Sequence, residues 1–147
     1  MPRVSTDRLP LCGLLIASIA LATLSGCGSG LARVKGTVTM DGETITKTDV
    51  RRCTVTLSPA TGPGAKASGS VDENGVFYLS TGAKSGVMPG EYRASVKVRD
   101  VIPPKQAGDY SSAKTLSPKK YAKPSTSGLT FTVKRGSNNY DIEISSN

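Results

Sequence analysis

Two textures of apolar residues divide the chain. Residues 11–24, LCGLLIASIALATL, form a nearly unbroken run of 14, preceded by Arg3 and Arg8. A membrane-spanning helix needs about 20 apolar residues, so a run this short behind a basic start predicts the core of an export signal rather than a permanent span. Beyond Ala32 the texture changes to strict alternation, the mark of strands with one buried face, and nothing recurs at helical spacing. Val34, Val38 and Met40 fall on one side of a first strand, with Arg33, Lys35, Thr37 and Thr39 on the other. Asp41-Gly42 then offers the positive φ angles of a tight turn.

The same logic predicts six further strands. Over residues 52–58, Cys53, Val55 and Leu57 point one way and Thr54 and Thr56 the other, and Pro59 follows. Residues 68–71 and 76–80 form a hairpin that turns through Asp72-Glu73-Asn74-Gly75, where Asn-Gly is among the strongest short-range turn signals. After Pro89-Gly90, Tyr92, Ala94, Val96 and Val98 alternate with Arg93, Ser95, Lys97 and Arg99, which gives that strand a basic outer face. Leu129, Phe131 and Val133 point inward on one closing strand, and Tyr140, Ile142 and Ile144 on the other. Asp141 and Glu143 face out there and are expected to pair with a basic neighbour, worth about 0.2–1 kcal/mol. Seven short strands without a helix predict an all-β fold, an antiparallel β-sandwich or partly closed barrel.

One segment breaks the alternation. Residues 101–128 hold Pro103, Pro104, Pro118 and Pro124, and five lysines against Asp109. Loops this long are usually functional or disordered. Lys119, Lys120 and Lys123, with Tyr110 and Tyr121 as exposed aromatic platforms, are therefore the candidate binding residues. The competing expectation is a solvated crossover pinned by Tyr121 and Pro124.

Residues 24–27, Leu24-Ser25-Gly26-Cys27, directly follow the apolar run and resemble the lipobox of bacterial lipoproteins at all four positions. That resemblance implies cleavage before Cys27, diacylglycerol on its sulfur, and residence in the cell envelope on the non-cytoplasmic side. Gly28 in place of Asp favours the outer membrane over the inner. The expected organisation is a signal peptide over 1–26, the lipidated cysteine and a short tether over 27–31, and a sandwich over 32–147 with a long loop at 101–128. Two or more acyl chains, at about 0.8 kcal/mol per buried methylene, anchor a protein stably.

Further motifs resemble a family of folds. Val34-Lys35-Gly36-Thr37-Val38, Asp41-Gly42, Val55, Pro59, residues 72–77 (DENGVF) and Pro89-Gly90-Glu91-Tyr92 look like the carboxypeptidase regulatory-like, or transthyretin-like, sandwich. The tail is similar to small bacterial lipoproteins that carry that domain: Lys120-Tyr121, Lys123-Pro124, residues 127–129, Val133, Gly136, Asn138 and residues 141–144 (DIEI). The chain departs from the family at Glu43-Thr44-Ile45-Thr46, where a proline is common. These motifs are turns and strand starts, which specify architecture rather than activity.

Composition narrows the chemistry. The chain of 147 residues has no histidine, so a Ser-His-Asp triad, a Cys-His pair and imidazole metal ligands are excluded. The hydroxyisourate hydrolases of the transthyretin-like fold depend on histidines and are excluded with them. Ser111 with Lys114, and Ser117 with Lys120, fit the Ser-x-x-Lys pattern, but its companion motifs are missing. Ala83-Lys84-Ser85 lacks the glycines of a phosphate loop. Asp72, Glu73 and Asn74 lack the alternating spacing of a calcium loop and suit a turn better.

Loss of Arg3, Arg8 and Asp7 with the signal lowers the net charge from +8 to +7, which favours anionic partners. With Cys12 in the signal and Cys27 lipidated, Cys53 stands alone in phase with core residues and is expected to be buried. The expectation is therefore a non-enzymatic, lipid-anchored envelope module with structural or adhesive work. The alternative is an accessory binding protein for an anionic glycan or envelope polymer. Expected partners are the membrane, through lipid on Cys27, and an anionic polymer or lipid headgroups. No cofactor, metal or nucleic acid is expected, and the oligomeric state stays open.

Overall fold

A computed structural model describes residues 30–106 and 110–147. The strands run in the order β1 (Arg33–Met40), β2 (Glu43–Thr44), β3 (Arg51–Pro59), β4 (Ala67–Ser70), β5 (Val76–Tyr78), β6 (Ser80–Thr81), β7 (Lys84–Ser85), β8 (Gly90–Ile102), β9 (Ser112–Thr115), β10 (Thr130–Val133), β11 (Ser137–Asn139) and β12 (Ile142–Ile144). A single 3-10 turn, Lys119–Ala122, interrupts them. The seven expected strands are all present, that over 76–80 in two pieces, and β2, β7, β9 and β11 are additional.

The fold is all-β, with two sheets. One has the order β10-β8-β3-β4-β6-β7, with β9 also on β8; the other has β1 at its centre, flanked by β5 and β2 on one side and by β11 and β12 on the other. The predicted hairpin forms, since Val71 bridges Phe77 and Ser68 pairs with Ser80. Its second arm does more than expected: β5 leaves β4 to pair with β1, Lys35 opposite Tyr78, so one bent strand joins the two sheets. At the first turn Asp41 and Gly42 both take positive φ, 53° and 86°, which suits the twist of a two-residue hairpin. Ile45 is buried just beyond it, so the connection without proline closes tightly on the core.

The centre of the larger sheet is β3 against β8 over nine residues, with Cys53 opposite Val98, Val55 opposite Val96 and Leu57 opposite Ala94. All six are buried, and they meet Val34, Val38, Phe77, Ile142 and Ile144 from the smaller sheet. Each fully buried Val, Leu, Ile or Phe contributes about 1.5–3 kcal/mol by leaving water.

Three expectations need correction. The closing strands β11 and β12 run parallel to β1, not antiparallel, with Arg33 opposite Ser137 and Val38 opposite Ile142. Tyr140 does not share the buried face of Ile142 and Ile144; it sits at the break between β11 and β12, half-buried, with its ring against Phe131 at 4.6 Å. Asp141 meets no basic strand either. It accepts a hydrogen bond from the Thr37 hydroxyl at 2.8 Å, because β12 neighbours β1, whose outward residues at that level are threonines.

Candidate functional site

The described residues of the segment 101–128 are built into the larger sheet. β8 runs on to Ile102, and β9 folds back on it, with Arg99 opposite Thr115 and Ile102 opposite Ser112. β10 covers the other end of the same edge, Arg93 opposite Thr130 and Gly90 opposite Val133. Between them, residues 94–98 of β8 have no strand partner on that side, and an irregular stretch supplies their hydrogen bonds. The Ala94 amide donates to the Leu129 carbonyl, and the Ala94 carbonyl accepts from the Ser127 hydroxyl at 2.6 Å. The Val98 amide donates to the Ser117 hydroxyl at 3.1 Å, and the Val98 carbonyl accepts from the Leu116 amide at 2.8 Å. Ser117 and Ser127 are the two buried polar residues of the described chain, 5% and 8% exposed. They replace a missing strand with side-chain oxygens, which satisfies buried backbone groups and closes an open edge.

The candidate binding residues divide. Lys119, Lys120 and Lys123 are exposed on and beside the 3-10 turn. Tyr121 is not a platform: it is only 8% exposed and its hydroxyl accepts a hydrogen bond from the Ser145 amide at 3.2 Å. A tyrosine whose ring packs into the core and whose hydroxyl holds the C-terminal strand pins the crossover. Lys120 lies over its ring, 5.0 Å from the centroid, and donates to the Asn147 carbonyl at 2.7 Å. Tyr110 is 95% exposed, but it sits beyond the Ile102 end of the sheet, away from the three lysines. The structure thus groups the lysines and separates them from any exposed aromatic ring. Cys27 lies outside the described residues.

The remaining motifs have structural partners. Ser117 is held by Val98 and Lys120 by Asn147, while Ser111 and Lys114 are exposed at β9. Asp72 accepts hydrogen bonds from the amides of Asn74 and Val76, both at 2.9 Å, so the acidic triplet forms a turn. Glu73 meets Lys47 at 3.6 Å. Lys84 belongs to a short strand against Thr81. Among the described residues, no group of His, Cys, Asp or Glu is placed to hold a metal ion, and no helix is long and apolar enough to cross a membrane.

Electrostatics show the same division. Burial pushes the Cys53 thiol up to about 12, so the thiolate that would react is scarce at neutral pH. Hydrogen bonds from Arg51 at 2.9 and 3.1 Å hold the Asp100 carboxyl below its ordinary range. The hydroxyl and amide of Ser146 do the same for Asp41.

A surface cleft of about 630 Å³ lies elsewhere, against the start of β1. Arg33, Lys35, Tyr78, Ser85 and Ser137 contribute to it. The sequence does not reveal it because its residues are dispersed along the chain and no single motif joins them. Cross-strand register alone brings them together. Comparison with family models, curated proteins and solved structures finds no match for this chain.

Proposed function

We propose that the protein is a lipid-anchored module of a bacterial cell envelope, processed before Cys27, whose sandwich does structural or adhesive work without catalysis. The observation that carries this is the sequence Leu24-Ser25-Gly26-Cys27 directly behind a 14-residue apolar run. Two features of the domain support it. Ala32 is held from both sides, its amide donating to the Val87 carbonyl at 2.7 Å and its carbonyl accepting from the Val87 amide at 2.9 Å, so folded chain begins five residues after the cysteine. The long basic segment is committed to closing a sheet edge, which fits a structural module better than a mobile binding loop. Two sheets packed face to face are also what the transthyretin-like resemblance implies.

The accessory-binding reading keeps one observation in its favour. The outer face of β3 and β8 forms a shallow polar cleft of about 180 Å³ with Thr54, Thr56, Ser95, Lys97 and Arg99, next to Ala122. An anionic glycan would find cations and hydroxyls there.

The test is the mass and partitioning of the mature protein from a bacterial host. Cleavage before Cys27, a diacylglycerol-sized mass increment and partition into detergent, all lost in Cys27→Ser, are the expected results. A mature chain without lipid on Cys27 would refute the proposal.

A further inference from the structure

The net charge conceals a strong asymmetry between the two ends of the sandwich. The chain enters β1 at Arg33, and three turns converge on that point. Arg33 donates its amide to the Gly136 carbonyl at 2.8 Å, which sets the β10–β11 turn, with Lys134 and Arg135, beside it. Ala32 bridges Val87, three residues before β8 begins at Gly90. A Cβ on Gly86 would stand 2.8 Å from the Ala32 carbonyl oxygen and 3.0 Å from Leu31, so the β6–β7 hairpin, with Lys84, closes the third side. Arg33, Lys35, Lys84, Lys134 and Arg135 are all exposed there. Among the described residues the one acid at this end is Glu91, at the start of β8.

The acids collect at the other end, where they offset Lys47, Arg51, Arg52, Arg99 and Lys114. Asp41 and Glu43 lie at the far end of β1, and Asp100 at the far end of β8. Asp72 and Glu73 lie in the turn whose Asp72 carbonyl accepts from the Lys47 amide, also at that end. The basic segment once expected to make contact is there or midway. β9 lies alongside residues 99–102 with Tyr110 just beyond its Ser112 end, and Lys119, Lys120 and Lys123 flank residues 94–98 of β8. Thirteen residues of β8, at about 3.3 Å each, put the Ile102 end roughly 40 Å from the Gly90 end. That is several screening lengths of about 8 Å.

We infer that the Arg33 end of the sandwich is a docking face for an anionic phospholipid surface. This rests on the anchor proposed above, which supplies the orientation. From Cys27 to Ala32 an extended chain reaches no more than about 18 Å, and Leu31 and Ala32 are already docked on the domain. The end whose cations are least offset by acids is therefore the end tethered nearest the headgroups. Arg33 and Lys35 line the cleft together with Ser85 and Ser137, a cation and hydroxyl set suited to phosphate oxygens. Tyr78, 63% exposed opposite Lys35, and Met88, 53% exposed beside the Val87 bridge, supply the amphipathic and apolar contacts that favour an interface. The far end, with its acids, faces away and is free to meet other envelope components.

The experiment is lysine footprinting of the intact mature protein on vesicles, phosphatidylglycerol-rich against pure phosphatidylcholine, at low and high salt, with the mass of the N-terminal cysteine read in the same samples. At low salt on the anionic vesicles, Lys35, Lys84 and Lys134 are expected to react roughly fivefold more slowly, on the scale of one lysine's attraction to an anionic surface. Lys105, Lys114, Lys119 and Lys123 should be unchanged, and high salt should erase the difference. Equal rates on the two vesicles, or protection of lysines 105–123 as great as that of Lys84 and Lys134, overturn the inference. The two proposals fail separately: a lipidated chain without protection removes the docking face and keeps the anchor. An unlipidated chain with Lys84 and Lys134 protected removes the anchor and keeps the face.

Discussion

Gly36 sits at an inward position of β1, in phase with Val34 and Val38, where an apolar side chain would be expected. The strand cannot carry one. A Cβ built there would lie 1.7 Å from the Tyr140 carbonyl oxygen, 2.6 Å from its carbon and 2.9 Å from the tip of the Phe77 ring, where 3.4–4 Å is ordinary contact. The Phe77 ring can tilt, but the Tyr140 carbonyl is backbone at the break between β11 and β12. It is fixed by the Tyr140 amide donating to Lys35 at 2.9 Å and by the Tyr140 hydroxyl donating to Thr132. Gly36→Ala must displace Tyr140 by about 1.7 Å, which is overpacking at about 1–3 kcal/mol. With the Lys35–Tyr140 bond lost or stretched, about 0.5–1.5 kcal/mol more, the expected loss is about 2–4 kcal/mol.

Against a total stability of about 5–15 kcal/mol for an ordinary domain, such a loss is easily measured by urea unfolding. At an m-value of about 2 kcal/mol per molar, the middle of the usual range, the midpoint should fall by roughly 1–2 M, with Thr37→Ala as the neighbouring control. Trimming the ring should not help, because the obstacle is a carbonyl: Gly36→Ala combined with Phe77→Leu should be no more stable than Gly36→Ala alone. A loss below about 0.5 kcal/mol, or rescue by Phe77→Leu, would refute the close approach of Tyr140 to β1.

Ser117→Ala and Ser127→Ala should each cost about 1–3 kcal/mol in the same assay, since each strands a buried backbone group of β8, whereas Lys119→Ser and Lys123→Ser should stay within about 0.5 kcal/mol. Cys53 should resist thiol reagents at pH 8 and react only at the rate of unfolding; labelling at the rate of a free thiol would contradict its place between Val98 and the core. The carboxyls of Asp100 and Asp41 are lowered in the folded state, so the stability they contribute is present above their unfolded value near 3.8 and is lost as pH falls through the folded values. A thermal-melt profile of Asp100→Asn should therefore lose part of the decline below about pH 4 that the parent shows, and identical profiles would discount the Arg51–Asp100 pair.

Alternation carried much of the fold. β1, β3 and β8 stand where period two puts them, and Cys53 is buried because Val55 and Leu57 are. What alternation cannot encode is the neighbour's direction: a strand with one apolar face reads alike beside a parallel or an antiparallel partner, so the pairing of β12 with β1 was invisible. Nor can it show a strand that changes sheets, as the chain does between Tyr78 and Ser80. The cations of the Arg33 end were hidden for a related reason, since Arg33, Lys84 and Arg135 become neighbours only through the pairing of β1 with β11 and the bridge of Ala32 to Val87 beside the β6–β7 hairpin.

Residues 101–128 show how the remaining ambiguity resolves. A long proline-rich, lysine-rich stretch without periodicity has the composition of a contact loop, and composition is all that sequence offers there. Its structural content sits in single side chains: Ser117 and Ser127 complete the hydrogen bonds of a five-residue gap in the β8 edge, and Tyr121 fills the core above it. An edge left open at residues 94–98 would expose unpaired amides and carbonyls to any other strand. Leu116, Ser117, Ser127 and Leu129, which close it, cannot be mobile without exposing them. Lys119, Lys120 and Lys123 are consequently held beside the sheet, away from Arg33, where the chain enters β1. If a membrane attracts this domain, the attraction must act on the end where Arg33, Lys84, Lys134 and Arg135 meet.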